Sequence, residues 1–155
     1  MSSDGGSFGL RDFAVAEENP PYRNNCSLGP QKMDETTQAL QELGSYIESQ
    51  LSNDVLRQWT ANRELNISVR LEGIIRTLKY LRTDSNCLFE MLVDVCGVDY
   101  PNREDRFEVV YNLLSLRHNQ RVRVKVAVDE DTVVPSVVGI FPSASWFERE
   151  CWDMF

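Results

Sequence analysis

Phe107-Glu108-Val109-Val110-Tyr111-Asn112-Leu113-Leu114-Ser115-Leu116-Arg117-His118-Asn119-Gln120-Arg121-Val122-Arg123-Val124-Lys125-Val126-Ala127-Val128 is the stretch on which the fold turns. Phe107, Val109, Tyr111 and Leu113 recur every second residue, as do Val122, Val124, Val126 and Val128. A period of two puts each set on one face of a strand, with Arg121, Arg123 and Lys125 on the other face of the second run. His118-Asn119-Gln120 is a connection short enough to make the two runs a hairpin. Leu65, Ile67, Val69 and Leu71 alternate in the same way with Asn66, Ser68 and Arg70, which predicts a further half-buried strand. The stretch from Cys87 to Val98 is mixed, a short helical turn or a strand, broken by Gly97 and Asp99-Tyr100-Pro101.

Helical spacing occupies the intervals. From Asp34, Leu40, Leu43, Ile47 and Leu51 form one apolar stripe, slightly weakened by Gly44. Ile74, Ile75, Leu78 and Leu81 form another, with Arg76, Lys79 and Arg82 outward. Helices interspersed with mostly antiparallel strands predict an α+β domain in two layers, a sheet packed against helices, over residues 34–155. Residues 1–33 carry Gly5-Gly6, Pro20-Pro21 and Gly29-Pro30 without apolar periodicity, so they read as a disordered or extended arm.

Composition narrows the function classes. A net charge of −8 argues against nonspecific nucleic-acid binding, which draws on a basic footprint. No apolar run reaches the roughly 18 residues needed to span a bilayer, so any membrane association is expected to run through partners. Asp12, Glu17 and Glu18 count against a transit peptide, and no secretory core precedes them. The cysteines Cys26, Cys87, Cys96 and Cys151 show no Cys-x-x-Cys spacing, and His118 is the one histidine. Reduced thiols without a zinc or iron–sulfur site are therefore expected. No phosphate-binding loop, dinucleotide fingerprint or nucleophile elbow occurs. His118 reads as a surface residue in a turn.

The last eleven residues are dense in chemistry. Ser145 and Glu148 have the spacing of a capping box, and Phe147, Cys151, Met154 and Phe155 share one helical face. Arg149 and Asp153 form an i, i+4 pair, and Trp152 lies outside both groups. Glu148 and Glu150 do not face one another as an acid–base pair would, since successive helix residues turn by about 100°. The Arg117, Arg121, Arg123 and Lys125 stripe is expected to be neutralised by Asp129-Glu130-Asp131, leaving a solvated face or a contact with another subunit rather than an anion site.

Glu148-Arg149-Glu150, Asp153 and the Met154-Phe155 pair resemble the signature of the C, or thirty-kilodalton, subunit of respiratory complex I (NADH:quinone oxidoreductase). The resemblance extends upstream through Tyr111-Asn112-Leu113-Leu114-Ser115-Leu116-Arg117, Arg121-Val122-Arg123-Val124-Lys125, Pro135-Ser136-Val137 and Ala144-x-Trp146. It reaches more weakly past Val98-Asp99-Tyr100-Pro101. Family members continue with a Gly and a tail carrying a His-Pro-Asp-Leu-type motif, so the chain is expected to be truncated relative to them.

The resemblance implies a structural subunit of the peripheral arm with no cofactor or catalytic residue of its own. NADH, FMN, iron–sulfur clusters and quinone would sit in partner subunits. The implied partners are the quinone-site subunit and the terminal iron–sulfur subunit. The implied location is the matrix side of the mitochondrial inner membrane or the cytoplasmic side of a bacterial plasma membrane. The expected interface residues are Trp146, Glu148, Arg149, Glu150, Trp152, Asp153, Phe155, Arg121 and Arg123. Two other readings stand beside it: a homologous subunit of a membrane-bound hydrogenase-type complex, and a free-standing acidic interaction module. A small independent enzyme using Glu148, Asp153 or His118 lacks a supporting constellation.

Overall fold

The structure, a computed structural model, describes residues 35–154. The arm expected over residues 1–33, Cys26 within it, and Phe155 lie outside them. Three helices and five strands follow in the order α1 (Glu35–Gln50), β1 (Val55–Ala61), β2 (Glu64–Val69), α2 (Ile74–Thr83), β3 (Met91–Asp99), β4 (Phe107–Ser115), β5 (Gln120–Val128) and α3 (Ala144–Met154). The expected α+β class is observed.

The strands form one sheet in the order β1-β2-β5-β4-β3. All neighbours are antiparallel except β2 and β5, which run parallel with Ile67 opposite Val124. The register aligns the apolar residues in rows. Val95 lies opposite Tyr111, Tyr111 opposite Val124, and Val124 opposite Ile67, so one face of four strands is continuously apolar. Against it pack the α1 stripe Leu40, Leu43, Ile47 and Leu51 and the α2 residues Ile74, Leu78 and Leu81, all buried. Each such side chain contributes about 1.5–3 kcal/mol of apolar burial, so these rows hold the two layers together.

The mixed stretch from Cys87 to Val98 resolves into edge strand β3. Its pairing with β4 is interrupted by a bulge between Leu92 and Asp94, which leaves Val93 exposed. The bulge breaks the period of two, and that is why hydropathy alone is ambiguous in this segment. The β4–β5 hairpin forms as expected, its turn closed by Asn119 with φ of 49°, a left-handed conformation that Asn tolerates.

Strand β1 carries no clear sequence signal. Its Trp59 lies opposite Asn66 on the polar face, while Gln58 turns beneath α1 toward Gly44. Asn62 and Arg63, with φ of 53° and 63°, close its two-residue hairpin to β2 as a type I′ turn requires.

Two polar ties fasten the helical layer. Asp54, buried before β1, accepts two hydrogen bonds of 2.6 Å from the Arg76 guanidinium on α2. At the far end Tyr46 of α1 donates to Asp84 (3.3 Å) and accepts from Tyr80 of α2 (3.1 Å).

Candidate functional site

Helix α3 lies against edge strand β3 on the apolar side of the sheet. Ala144 is fully buried, and Phe147 and Cys151 turn onto the core, one helical face as their spacing predicts. The thiol of Cys151 donates to the carbonyl of Val95 (3.5 Å) and accepts from the Gly97 backbone N–H. Residues i and i+2 of a strand point these groups to the same side, so one sulfur covers two groups of the unpaired edge. Burial raises the Cys151 pKa, which keeps the thiol protonated as a donor.

The capping box expected between Ser145 and Glu148 is not made. The Glu148 carboxylate accepts instead from the Ser136 hydroxyl (2.7 Å) and the Val137 backbone N–H (2.6 Å). It thereby pins the segment Pro135-Ser136-Val137, whose turn runs on through Ile140 N–H and Phe141 N–H bonds to the Val137 carbonyl. The turn and Ala144 N–H, bonded to the Phe141 carbonyl, lead the chain into α3. Arg82 of α2 stacks 5.5 Å from the Phe141 ring and donates to the Ile140 carbonyl. Both Glu148 oxygens are therefore engaged within the chain.

The remaining expected interface residues divide into two groups. Trp146 and Trp152 are 81% and 83% exposed. Arg149 and Asp153 approach to 4.0 Å in the open, and Glu150 is exposed beside them. Met154, expected on the buried face, is exposed instead because that face has rotated past β3 by the last turn. These residues make one outward surface of α3.

Arg121 and Arg123 do not join that surface. They alternate with Val122 and Val124 and so occupy the opposite face of the sheet. There Arg123 donates to Asn112 (2.9 Å) and Glu64 (2.8 Å), and Arg121 lies 4.0 Å from the same Glu64. Lys125 pairs with Glu108 at 2.8 Å and approaches the Trp59 ring, which Arg57 also flanks. Arg121, Arg123 and Lys125 of the basic stripe are thus neutralised by strand neighbours, not by Asp129-Glu130-Asp131. Cross-strand partners lie about 5 Å apart, closer than a following loop reaches. Glu130 serves elsewhere, pairing with Arg106, which also holds Asp99 through two hydrogen bonds and keeps its carboxyl below the usual range.

A groove of about 630 Å³, not anticipated from the sequence, opens where α3 leaves the sheet incompletely covered. Val95, Val109 and Tyr111 form its floor, the segment from Asp129 to Ser136 one wall, and Cys151 and Trp152 the other. No signal short of the tertiary arrangement marks it, because its floor residues belong to the same alternation as the core. Among the described residues no group of three or more His, Cys, Asp or Glu side chains is placed to hold a metal ion.

Residues 67–155, from β2 through α3, match the model of the family described as respiratory-chain NADH dehydrogenase, 30 Kd subunit. The chain belongs to this family. The C subunit of NADH-quinone oxidoreductase from Paramagnetospirillum magneticum is 60% identical to this thirty-kilodalton-family member over 121 residues, covering 77% of this chain and 60% of the relative. The protein of the same name from Rhodospirillum rubrum is 54% identical over 122 residues, covering 79% and 57%. The chain therefore spans somewhat under two thirds of the length of these curated relatives. Among solved structures, a chain of the membrane-bound sulfane sulfur reductase, an archaeal respiratory membrane complex, superposes with a TM-score of 0.63 at 24% identity. It covers 74% of this chain and 66% of that one, and shows the shared fold.

Proposed function

We propose that this thirty-kilodalton-family chain is a structural, cofactor-free subunit of the peripheral arm of NADH:quinone oxidoreductase. The observation that carries the reading is the 60% identity to a protein named as the C subunit of that enzyme. In this reading NADH, FMN, iron–sulfur clusters and quinone are held by partner subunits. The chain packs beside the quinone-site and terminal iron–sulfur subunits and reaches the membrane only through them. Among the described residues no helix is long and apolar enough to cross a bilayer. The location proposed is the cytoplasmic face of a bacterial plasma membrane, or the matrix face of its mitochondrial counterpart.

The physical contribution is rigidity. A five-stranded sheet with helices fastened by Asp54–Arg76 and Tyr46–Asp84 is a stiff plate, and fixed distances between cofactor-bearing neighbours are what electron transfer needs. Supporting contact through α3 are Trp146 and Trp152, aromatic anchors of the type that dominate interface energetics. Arg149, Glu150 and Asp153 surround them.

Arg149→Ala and Trp152→Ala test the proposal. The exposed Arg149–Asp153 pair contributes at most about 1 kcal/mol to the chain alone. If assembly desolvates it, loss of Arg149 costs about 3–5 kcal/mol there. Both variants should fold normally by circular dichroism yet lower the yield of assembled enzyme on native gels. NADH oxidation by an artificial acceptor should persist per assembled complex. Full assembly with lost turnover would mean direct chemistry in α3 and would defeat the scaffold reading.

A further inference from the structure

The groove between α3 and the 129–136 segment combines an apolar floor, a tyrosine hydroxyl and an acidic rim. Its floor is apolar, from Val95 and Val109, with Gly97 opening space beside them. Into that floor is set Tyr111, only 2% exposed, whose hydroxyl has no hydrogen-bond partner among the described residues. Burial, reinforced by the nearby Glu148 carboxylate, raises its pKa, so it remains an O–H donor. The hydroxyl is not sealed from solvent, so water takes this hydrogen bond in the open groove, and an acceptor carried by an occupant would replace that water.

The rim is acidic. Glu130 is consumed by Arg106, but Asp129 and Asp131 have no cationic partner among the described residues. Asp129 accepts from the Thr132 hydroxyl, which holds its carboxyl below the usual range and ionised. Val133 and Trp152, each 83% exposed, form two apolar lips above the floor. An occupant that rises past the floor would cover both lips. The floor reaches from β3 across β4 to Val128 of β5, about 10 Å between strand axes. A helix with side chains is about 10–12 Å wide and would fill that span without room for the walls. An extended chain fits.

We propose that this groove receives an extended segment of a partner polypeptide. The segment places an apolar side chain on the Val95–Val109 floor, a main-chain carbonyl on the Tyr111 hydroxyl, and a Lys or Arg beside Asp129 and Asp131. The acidic rim selects the basic residue and repels acidic segments. The inference rests on the subunit reading only for the preparation in which it is tested. NADH oxidation by that preparation tests the subunit reading, and the identity of the bound segment tests this one.

The experiment introduces the photoreactive residue p-benzoylphenylalanine at Val133 in cells, isolates the membrane-derived complex, irradiates it and sequences the attached peptide. The expected product is one partner segment with an apolar residue next to Lys or Arg. Its yield should fall about two- to fivefold in the Asp129→Lys, Asp131→Lys double variant, as loss of an exposed ion pair implies. Should the Val133 substitution prevent accumulation, the same probe at Thr132 serves. Attachment to this chain, to a second copy, to lipid, or to an acidic or helical segment would overturn the proposal. So would no attachment from either position, or a yield indifferent to the rim charges.

Discussion

Glu148 illustrates how one side chain changes meaning between sequence and fold. Its spacing from Ser145 suggests a cap and its neighbours suggest an interface, yet its two oxygens are both held, at 2.7 and 2.6 Å, by Ser136 and Val137. The partners lie eleven and twelve residues upstream, outside any local motif, so only the tertiary path of the chain reveals them. Charge-assisted hydrogen bonds of this kind contribute about 1.5–3 kcal/mol each when charged groups are involved. Glu148→Gln keeps one acceptor but sets an amide N–H₂ against a donor. It should lower the unfolding free energy of the chain by about 1–3 kcal/mol, measured by urea titration. A change within about 0.5 kcal/mol would return Glu148 to the class of exposed surface charges.

At the scale of elements, the alternating runs of β2, β4 and β5 and the stripes of α1 and α2 are legible because burial follows period in them. Val122, Val124, Val126 and Val128 are buried as their alternation predicts, and so are Leu40, Leu43, Ile47 and Leu51. Strand β1 is not legible, since Gln58 faces inward and Trp59 outward against hydropathy, and β3 is blurred by its bulge. The α3 surface is recognisable from its motif, whereas its separation from Arg121 and Arg123 depends on which side of the sheet the helix lands. The junctions of elements also carry constraints that periodicity does not display. A Cβ at Gly73, the last residue of the short 3-10 turn Leu71–Gly73 that leads into α2, would sit 2.6 Å from the Asp54 side chain, itself fixed by Arg76. A Cβ at Gly44 in α1 would meet the movable tip of Gln58 at 2.5 Å and Leu65 at 3.0 Å. Gly73→Ala should therefore cost about 1–3 kcal/mol through overpacking. Gly44→Ala should be near neutral, because the gain of up to about 1 kcal/mol in helix propensity offsets the adjustment of Gln58. Equal losses for the two variants in chemical denaturation would refute the distinction drawn between a pinned carboxylate and a flexible amide.

For the whole molecule, the consequence of packing one continuous apolar layer is that several protonated groups are sealed in it. Cys87 is fully buried, and burial together with the Asp84 carboxylate pushes its thiol up to about 12. Tyr111 is raised in the same direction by burial and Glu148. In an unfolded chain these groups release protons near 8.5 and 10. The folded chain thus binds more protons than the unfolded one across that range, and its stability must fall as pH rises. The contribution of Cys87 is complete below about pH 8.5 and declines toward about 12, by at most about 1.4 kcal/mol per pH unit. Urea midpoints of the wild-type chain should hold between pH 7 and about 8 and then decrease up to pH 10.5. In Cys87→Ala the starting midpoint should be lower, because a buried side chain has been shortened, but the decline with pH should be shallower. A decline of the same slope in both proteins would show that the thiol titrates alike in the folded and unfolded chains, and that the layer over Cys87 opens well before the sheet does.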